Sequence, residues 1–137
     1  MQNLTEIVKQ LYAAFGRGDI QAILDIMAED VELEAWADNS GLKANIPYFR
    51  YRTGKAGAAE FFGVVAQLKI SEFKVLSIME GGNQVAAEFV IEADVPGDGH
   101  YRDEEMHLWT FNEAGQVIRL RHYLDTAKHI EACRNWR

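Results

Sequence analysis

The sequence predicts an α+β fold, with helices gathered on one face of a curved antiparallel sheet. Two observations lead there. Apolar residues recur at helical spacing over residues 4–28 and 55–68, and four alternating, strand-like stretches follow between 71 and 125. Helices segregated from a run of antiparallel strands define that class.

Asn3 followed by Glu6 forms a capping-box pattern, after which Leu4, Ile7, Val8, Leu11 and Phe15 keep helical spacing until Gly16 and Gly18 end the run. Asp19 is placed to cap a second helix with Ile20, Ile23, Leu24 and Met27 as its apolar stripe. Residues 31–37, VELEAWA, alternate and predict a short strand with Val31, Leu33 and Ala35 on one face and Glu32, Glu34 and Trp36 on the other. The polar segment from Asp38 to Thr53 is long for a spacer and carries Tyr48, Phe49 and Tyr51, so it reads as a binding loop or lid. Packing of those rings onto the body is the alternative.

Helical spacing returns over 55–68 through Ala58, Phe61, Phe62, Val65 and Leu68. The stretches SEFKVLSIME, VAAEFVIEADV, RDEEMHLWTF and QVIRLRHYLD then predict an antiparallel meander, punctuated by Gly81-Gly82-Asn83, by Pro96 to Gly99 and by a turn at Gly115. Thr126 is placed to cap a short last helix through about Cys133.

At 137 residues, 48% hydrophobic and 26% charged, the chain fits one globular domain over residues 1–137. A net charge of −7 argues against a nucleic-acid surface, since phosphate binding depends on clustered Lys and Arg. One cysteine, Cys133, permits no internal disulfide and reads as a buried packing residue. The first ten residues lack a leader pattern and no apolar run reaches membrane-span length, so a soluble, cytoplasmic protein without a membrane partner is expected.

The segment from Asp103 to Asp125 reads as a hairpin whose three-residue loop places Gly115 at a left-handed position. Plain alternation then pairs Phe111 with Val117, Trp109 with Arg119, His107 with Arg121, Glu105 with Tyr123 and Asp103 with Asp125. This puts acids, a histidine, guanidiniums and rings on one face, and Met106, Leu108, Ile118, Leu120 and Leu124 on the other. A solvated face laced with salt bridges is one reading of the mixed side. The other is a pocket wall, because ligand cavities combine apolar rings with a few convergent polar groups.

Several short stretches resemble the nuclear-transport-factor-2-like superfamily, and within it the SnoaL-like branch of polyketide cyclases and ketosteroid isomerase-like proteins. They are Tyr12-Ala-Ala-Phe-Gly-Arg-Gly-Asp19, Met27-Ala-Glu-Asp-Val31, Gly54 before the third helix, and His107-Leu-Trp-Thr-Phe111 through Gly115-Gln-Val-Ile-Arg-Leu-Arg-His-Tyr-Leu-Asp-Thr126. The resemblance implies a cone-shaped, strongly curved sheet with about three helices on its concave side and a short C-terminal helix. It also implies a deep cavity and a homodimer formed through the sheet's outer face. Similar cyclases use an acidic residue near the end of the last strand, which here matches Asp125, with His107 as a second proton-transfer group. Glu105, Trp109, Arg121 and Tyr123 would then contact ligand, with Trp36, Tyr48, Phe15 and Phe62 completing the walls. Core packing is the alternative role for those last rings.

The first strand has no Asp-Pro pair of the steroid isomerase kind, and Tyr12 lies about one place from the matching helix position. Arg102 and Asp103 are adjacent, which departs from the spacing of similar epoxide hydrolases. The four histidines show no metal-ligand spacing, and His107 and His122 are expected on opposite faces of the hairpin. Gly54-Lys55-Ala56-Gly57 is not a phosphate loop, so neither cofactor nor metal is expected. Two functions remain: an acid-base enzyme on a small carbonyl-bearing, aromatic or polyketide-like compound, and a non-catalytic ligand-binding or dimeric scaffold protein.

Overall fold

The computed structural model describes residues 3–34, 36 and 38–136. Helix α1 (Leu4–Arg17) begins where the Asn3 side chain accepts a hydrogen bond from the Glu6 amide, and ends at Gly18, whose φ of 71° needs no Cβ penalty. Its inward residues Val8, Leu11 and Ala14 are buried. Helix α2 (Ile20–Ile26) starts on Asp19, whose carboxylate accepts from the Ala22 amide. The chain then passes directly into β1 (Met27–Leu33). That strand starts four residues before the expected position, because Met27 and Ala28 extend the strand instead of the helical stripe. It stops at Glu34, whose φ of 57° is left-handed. Ala35 and Ala37 of the expected strand lie outside the described residues.

The segment read as a loop holds two small elements, α3 (Ser40–Lys43) and β2 (Arg52–Thr53). It is anchored, not loose. Ile46, Tyr48 and Phe49 are buried, and Arg52 donates to Glu60 at 2.8 Å and to the Pro47 carbonyl at 2.9 Å. Helix α4 (Gly54–Val65) follows and buries Ala58, Phe61 and Phe62. Strands β3 (Lys69–Gly81), β4 (Gln84–Val95), β5 (Gly99–Phe111) and β6 (Val117–Tyr123) form the expected antiparallel meander, and α5 (Thr126–Ala132) closes the chain.

The six strands lie in the order β2-β1-β6-β5-β4-β3, forming an unclosed, curved sheet. All neighbours are antiparallel except β1 and β6, which run parallel, with β2 to β5 lying between them in the chain. Register shifts in β3 between Ile70 and Glu72 and between Val75 and Ser77 mark the bulges that bend the sheet. A Cβ on Gly99 would sit 1.8 Å from the Ala132 carbonyl, so a bare glycine lets α5 lie against the start of β5. No helix among the described residues is long and apolar enough to cross a membrane.

One register shift corrects the sequence expectation. Phe111 pairs with Val117 as expected, and Gly115 has a φ of 78° in the turn. The ladder then slips by one residue between Thr110 and Phe111, so that Trp109 faces Leu120, His107 faces His122, Leu108 faces Arg121 and Met106 faces Tyr123. The bulge inverts every later residue of β6. Leu120 and His122 turn inward, while Arg121 and Tyr123 turn outward, the reverse of plain alternation.

Candidate functional site

The concave face of the sheet, α1 and α4 line a cavity of about 80 Å³. This is room for several waters or a compact ligand. Its walls are largely apolar, with Leu11, Phe15, Phe62, Phe73 and Leu120 among them. Convergent polar groups come from Tyr12, Tyr48, Tyr101, Glu105, His107, Trp109 and His122, and no lysine or arginine lines it. An apolar pocket with a few polar groups is the ordinary form of a small-molecule site.

Four elements contribute to one hydrogen-bonded chain. The kink at Glu34 turns its wholly buried carboxylate back under the sheet, where Oε1 lies 2.7 Å from His122 Nδ1. His122 Nε2 is 2.5 Å from His107 Nε2 across the β5–β6 ladder. His107 Nδ1 is 2.6 Å from the Tyr12 hydroxyl, and Trp109 Nε1 donates to that same oxygen at 3.1 Å. The Phe89 ring, 4.4 Å from His107 between centroids, and Phe61, 6.1 Å from His122, pack against the pair.

Charge decides how this chain is protonated. Burial works against charge on His122, but Glu34 beside it outweighs that cost and holds its pKa above the ordinary imidazole value. Burial and the neighbouring His122 charge together push His107 well below that value. His122 is therefore the imidazolium, donating from Nδ1 to Glu34 and from Nε2 to His107. His107 is neutral, accepts at Nε2 and donates from Nδ1 to Tyr12. Burial raises the Tyr12 pKa and keeps it a phenol. Having accepted from both His107 and Trp109, the Tyr12 oxygen has its own hydrogen left for the cavity it lines.

A second buried cluster sits at the other end. His129 of α5 bonds to the Tyr48 hydroxyl through Nδ1 and donates from Nε2 to Asp103 Oδ2 at 2.8 Å. Glu105 Oε2 lies 2.9 Å from that same nitrogen, yet accepts no hydrogen bond, because one N–H cannot serve both acids. Burial disfavours charge on His129, but the hydrogen bond to Asp103 and the contact with Glu105 hold its pKa above the ordinary value. For Asp103, burial is outweighed by the His129 hydrogen bond and the Asp125 amide, so its pKa falls. Asp103, Glu105 and His129 are the one set among the described residues whose ligand atoms, within 4.8 Å of one another, could hold a metal ion. As it stands, the imidazolium fills that position and the three form an ion cluster.

The structure brings together six of the residues singled out from sequence: Phe15, Tyr48, Phe62, Glu105, His107 and Trp109 all border the cavity. Four others lie elsewhere. Asp125 is exposed, and its carboxylate caps α5 by accepting from the Lys128 amide at 3.3 Å. The inverted half of β6 carries Arg121 and Tyr123 to the outer side, where the Arg121 guanidinium lies 4.6 Å from the centre of the Trp36 ring and Tyr123 meets that ring edge-on at 5.0 Å. Leu120 and Leu124, expected on the outer face, line the cavity instead.

Sequence reasoning missed Tyr12, Glu34 and His122 as members of one chain. One signal was present: on β6 the apolar residues Ile118, Leu120 and Leu124 share parity with His122, whereas on β5 the rings Trp109 and Phe111 share parity with His107. Only a one-residue bulge sets both groups on a common inner face.

A family model described as a SnoaL-like domain matches residues 8–120. No curated protein matches the chain. Among solved structures, an NTF2-like protein of unknown function from Burkholderia pseudomallei is 22% identical, covering 96% of this chain and 98% of its own, with a TM-score of 0.77. TerC, co-crystallized with polyporic acid, is 24% identical over 96% of this chain and 99% of its own, with a TM-score of 0.78. A computationally designed 17-OHP binder is 22% identical over 90% and 95%, with a TM-score of 0.68. At these identities the likeness concerns the fold.

Proposed function

The chain belongs to the SnoaL-like domain family, and from that premise we propose that it is an acid-base enzyme of the isomerase or cyclase type, acting on a compact carbonyl-bearing aromatic compound. The observation that carries the reading is the Tyr12 hydroxyl. It ends a chain of buried groups with its hydrogen directed at an apolar cavity, and behind it stands an imidazolium that can refill it.

The proton bookkeeping closes. Tyr12 gives its hydrogen to the carbonyl or enolate oxygen and takes the Nδ1 hydrogen of His107, while His107 takes the Nε2 hydrogen of His122. One proton has then moved to the ligand, and His122 is left neutral, still bonded to Glu34 through Nδ1. The reverse sequence takes a proton from the ligand oxygen. His122 with Glu34 sets the proton affinity of the chain, and a donor so tuned contributes about 10²–10⁴-fold to a rate. The co-crystallization of TerC with polyporic acid and the designed 17-OHP binder support small-ligand binding by this fold. Polarising a carbonyl in this way acidifies the hydrogens on the neighbouring carbon, so that water takes one of them as Tyr12 supplies its hydrogen to the oxygen, and the reverse step returns a solvent deuteron to carbon.

The test is α-hydrogen exchange of 1-tetralone in D2O, followed by NMR. The native protein is expected to accelerate exchange above buffer, and Tyr12→Phe to lose about a hundredfold of that acceleration while a thermal melt shows it still folded. No acceleration by the native protein would leave only the non-catalytic binding role. Pairing of two copies belongs to the same proposal and is supported by half-buried Met106 and Leu108 on the outer face of β5; a monomeric mass in solution would remove it.

A further inference from the structure

The mechanism above uses one end of the cavity and leaves a buried acid unexplained at the other. Glu105 follows the inward alternation of β5 two residues before His107, which places the two side chains about 7 Å apart along the strand. Its side chain is 4% exposed, it lines the cavity, and its Oε2 accepts no hydrogen bond. Buried polar atoms in native proteins are nearly always hydrogen-bonded, and a carboxylate oxygen is an expensive one to leave without a donor. The nearest donor, His129 Nε2, spends its hydrogen on Asp103. The Tyr48 hydroxyl bonds to His129 Nδ1 and accepts from Cys133, and neither it nor the Tyr101 hydroxyl forms a hydrogen bond to Glu105 Oε2. Because Glu105 lines the cavity, a hydroxyl on a bound ligand is placed to supply a donor to this carboxylate.

We infer that Glu105 is a specificity residue that receives a hydroxyl group of the ligand, so that the preferred compound carries a carbonyl at one end and a ring hydroxyl at the other. This rests on the carbonyl end being held at Tyr12, as proposed above. The two ends are matched to opposite hydrogen-bonding characters: Tyr12 presents a hydrogen, and Glu105 presents a lone pair. The same arrangement works against acids. With one carboxylate in its wall and no lysine or arginine lining it, the cavity repels a ligand carboxylate or phosphate at the Glu105 end. The ligand is therefore a neutral hydroxyaryl ketone in character, not an aryl carboxylic acid.

The experiment compares four probes by calorimetry: 1-tetralone, 6-hydroxy-1-tetralone, 6-methoxy-1-tetralone and 6-carboxy-1-tetralone. The hydroxyl compound is expected to bind the native protein about tenfold tighter than 1-tetralone or more, as a hydrogen bond to a charged group does. The methyl ether, which offers no donor, gains nothing, and the acid binds more weakly than any of the others. In Glu105→Gln the hydroxyl compound loses its advantage over 1-tetralone, and the acid is no longer disfavoured relative to 1-tetralone. Should that variant misfold, the native comparison of hydroxyl with methyl ether still decides. Equal binding of 1-tetralone and its hydroxyl derivative overturns the role of Glu105 and leaves the Tyr12 reading intact. Failure of all four to bind overturns both.

Discussion

Two buried histidine networks of similar composition behave oppositely. At one end of the cavity, Glu34, His122, His107 and Tyr12 form an open line that finishes on a hydroxyl facing the cavity. At the other, Asp103, Glu105, His129 and Tyr48 close around a single imidazolium, and the Asp125 amide adds a further bond to Asp103 at 3.1 Å. A line with one free end can pass a proton. The His129 imidazolium spends one hydrogen on Asp103 and the other on Tyr48, so it has none to pass on and instead ties α5 to β5. Ionisable groups do chemistry only when their hydrogen-bond geometry leaves an exit.

The largest effect that would sharpen this contrast is on stability. His129→Ala leaves two buried acids without their cation, and urea denaturation should record a loss of about 3–5 kcal/mol. A loss below about 1 kcal/mol would mean that the closed cluster is not a structural tie.

A pH series separates the networks next. His122 and His129 have folded pKa values above 6.5, so their contribution is whole below about pH 6.5 and fades as pH rises through the folded values. Exposed His100, held up by Asp94 and Glu92, adds in the same sense. His107 is held below 6.5, so under that pH the unfolded chain takes up a proton that folded His107 refuses, and stability falls. Asp103, with its lowered value, adds a loss at still lower pH as the folded value is crossed. Unfolding free energy should therefore peak near pH 6.5, and a steady rise from pH 5.5 to 8 would contradict the charge assignment.

The smallest effect is also informative. Asp125→Asn keeps an oxygen that can cap α5, so stability should change by no more than about 0.5 kcal/mol and ligand exchange not at all. A collapse of exchange in that variant would return the acid-base role to Asp125 and away from Tyr12.

Much of the fold was readable because it is written in local patterns. Asn3, Asp19 and Gly18 punctuate the helices as their chemistry dictates, and Gly115 supplies the turn conformation that the hairpin needs. The inward side of β5 was readable for the same reason: Glu105, His107 and Trp109 alternate on one unbroken strand. What stayed hidden depended on breaks in alternation. The bulge after Val117 moved Arg121 and Tyr123 outward and His122 inward, and the left-handed turn at Glu34 brought a residue from outside β1 to the centre of the site. A non-glycine residue at positive φ costs about 1–3 kcal/mol and persists only where its surroundings hold it there, as the parallel pairing of Leu33 with Leu120 does here. The left-handed turn at Glu34 has no signature in the sequence, and the bulge shows only in the opposite parity of the apolar residues on β5 and β6.

The slipped ladder gives β6 a latent second identity. Its alternate residues, Arg119, Arg121 and Tyr123, make a cation-rich lining as coherent as the one in use, and the Trp36 ring beneath Arg121 already occupies the far side. Loss of one residue at Ile118 would roll the strand over and turn Arg119, Arg121 and Tyr123 toward the cavity in place of Leu120 and His122. A single insertion or deletion within β6 would thus reverse the charge of one cavity wall while every cavity-facing residue of β5 stays in place.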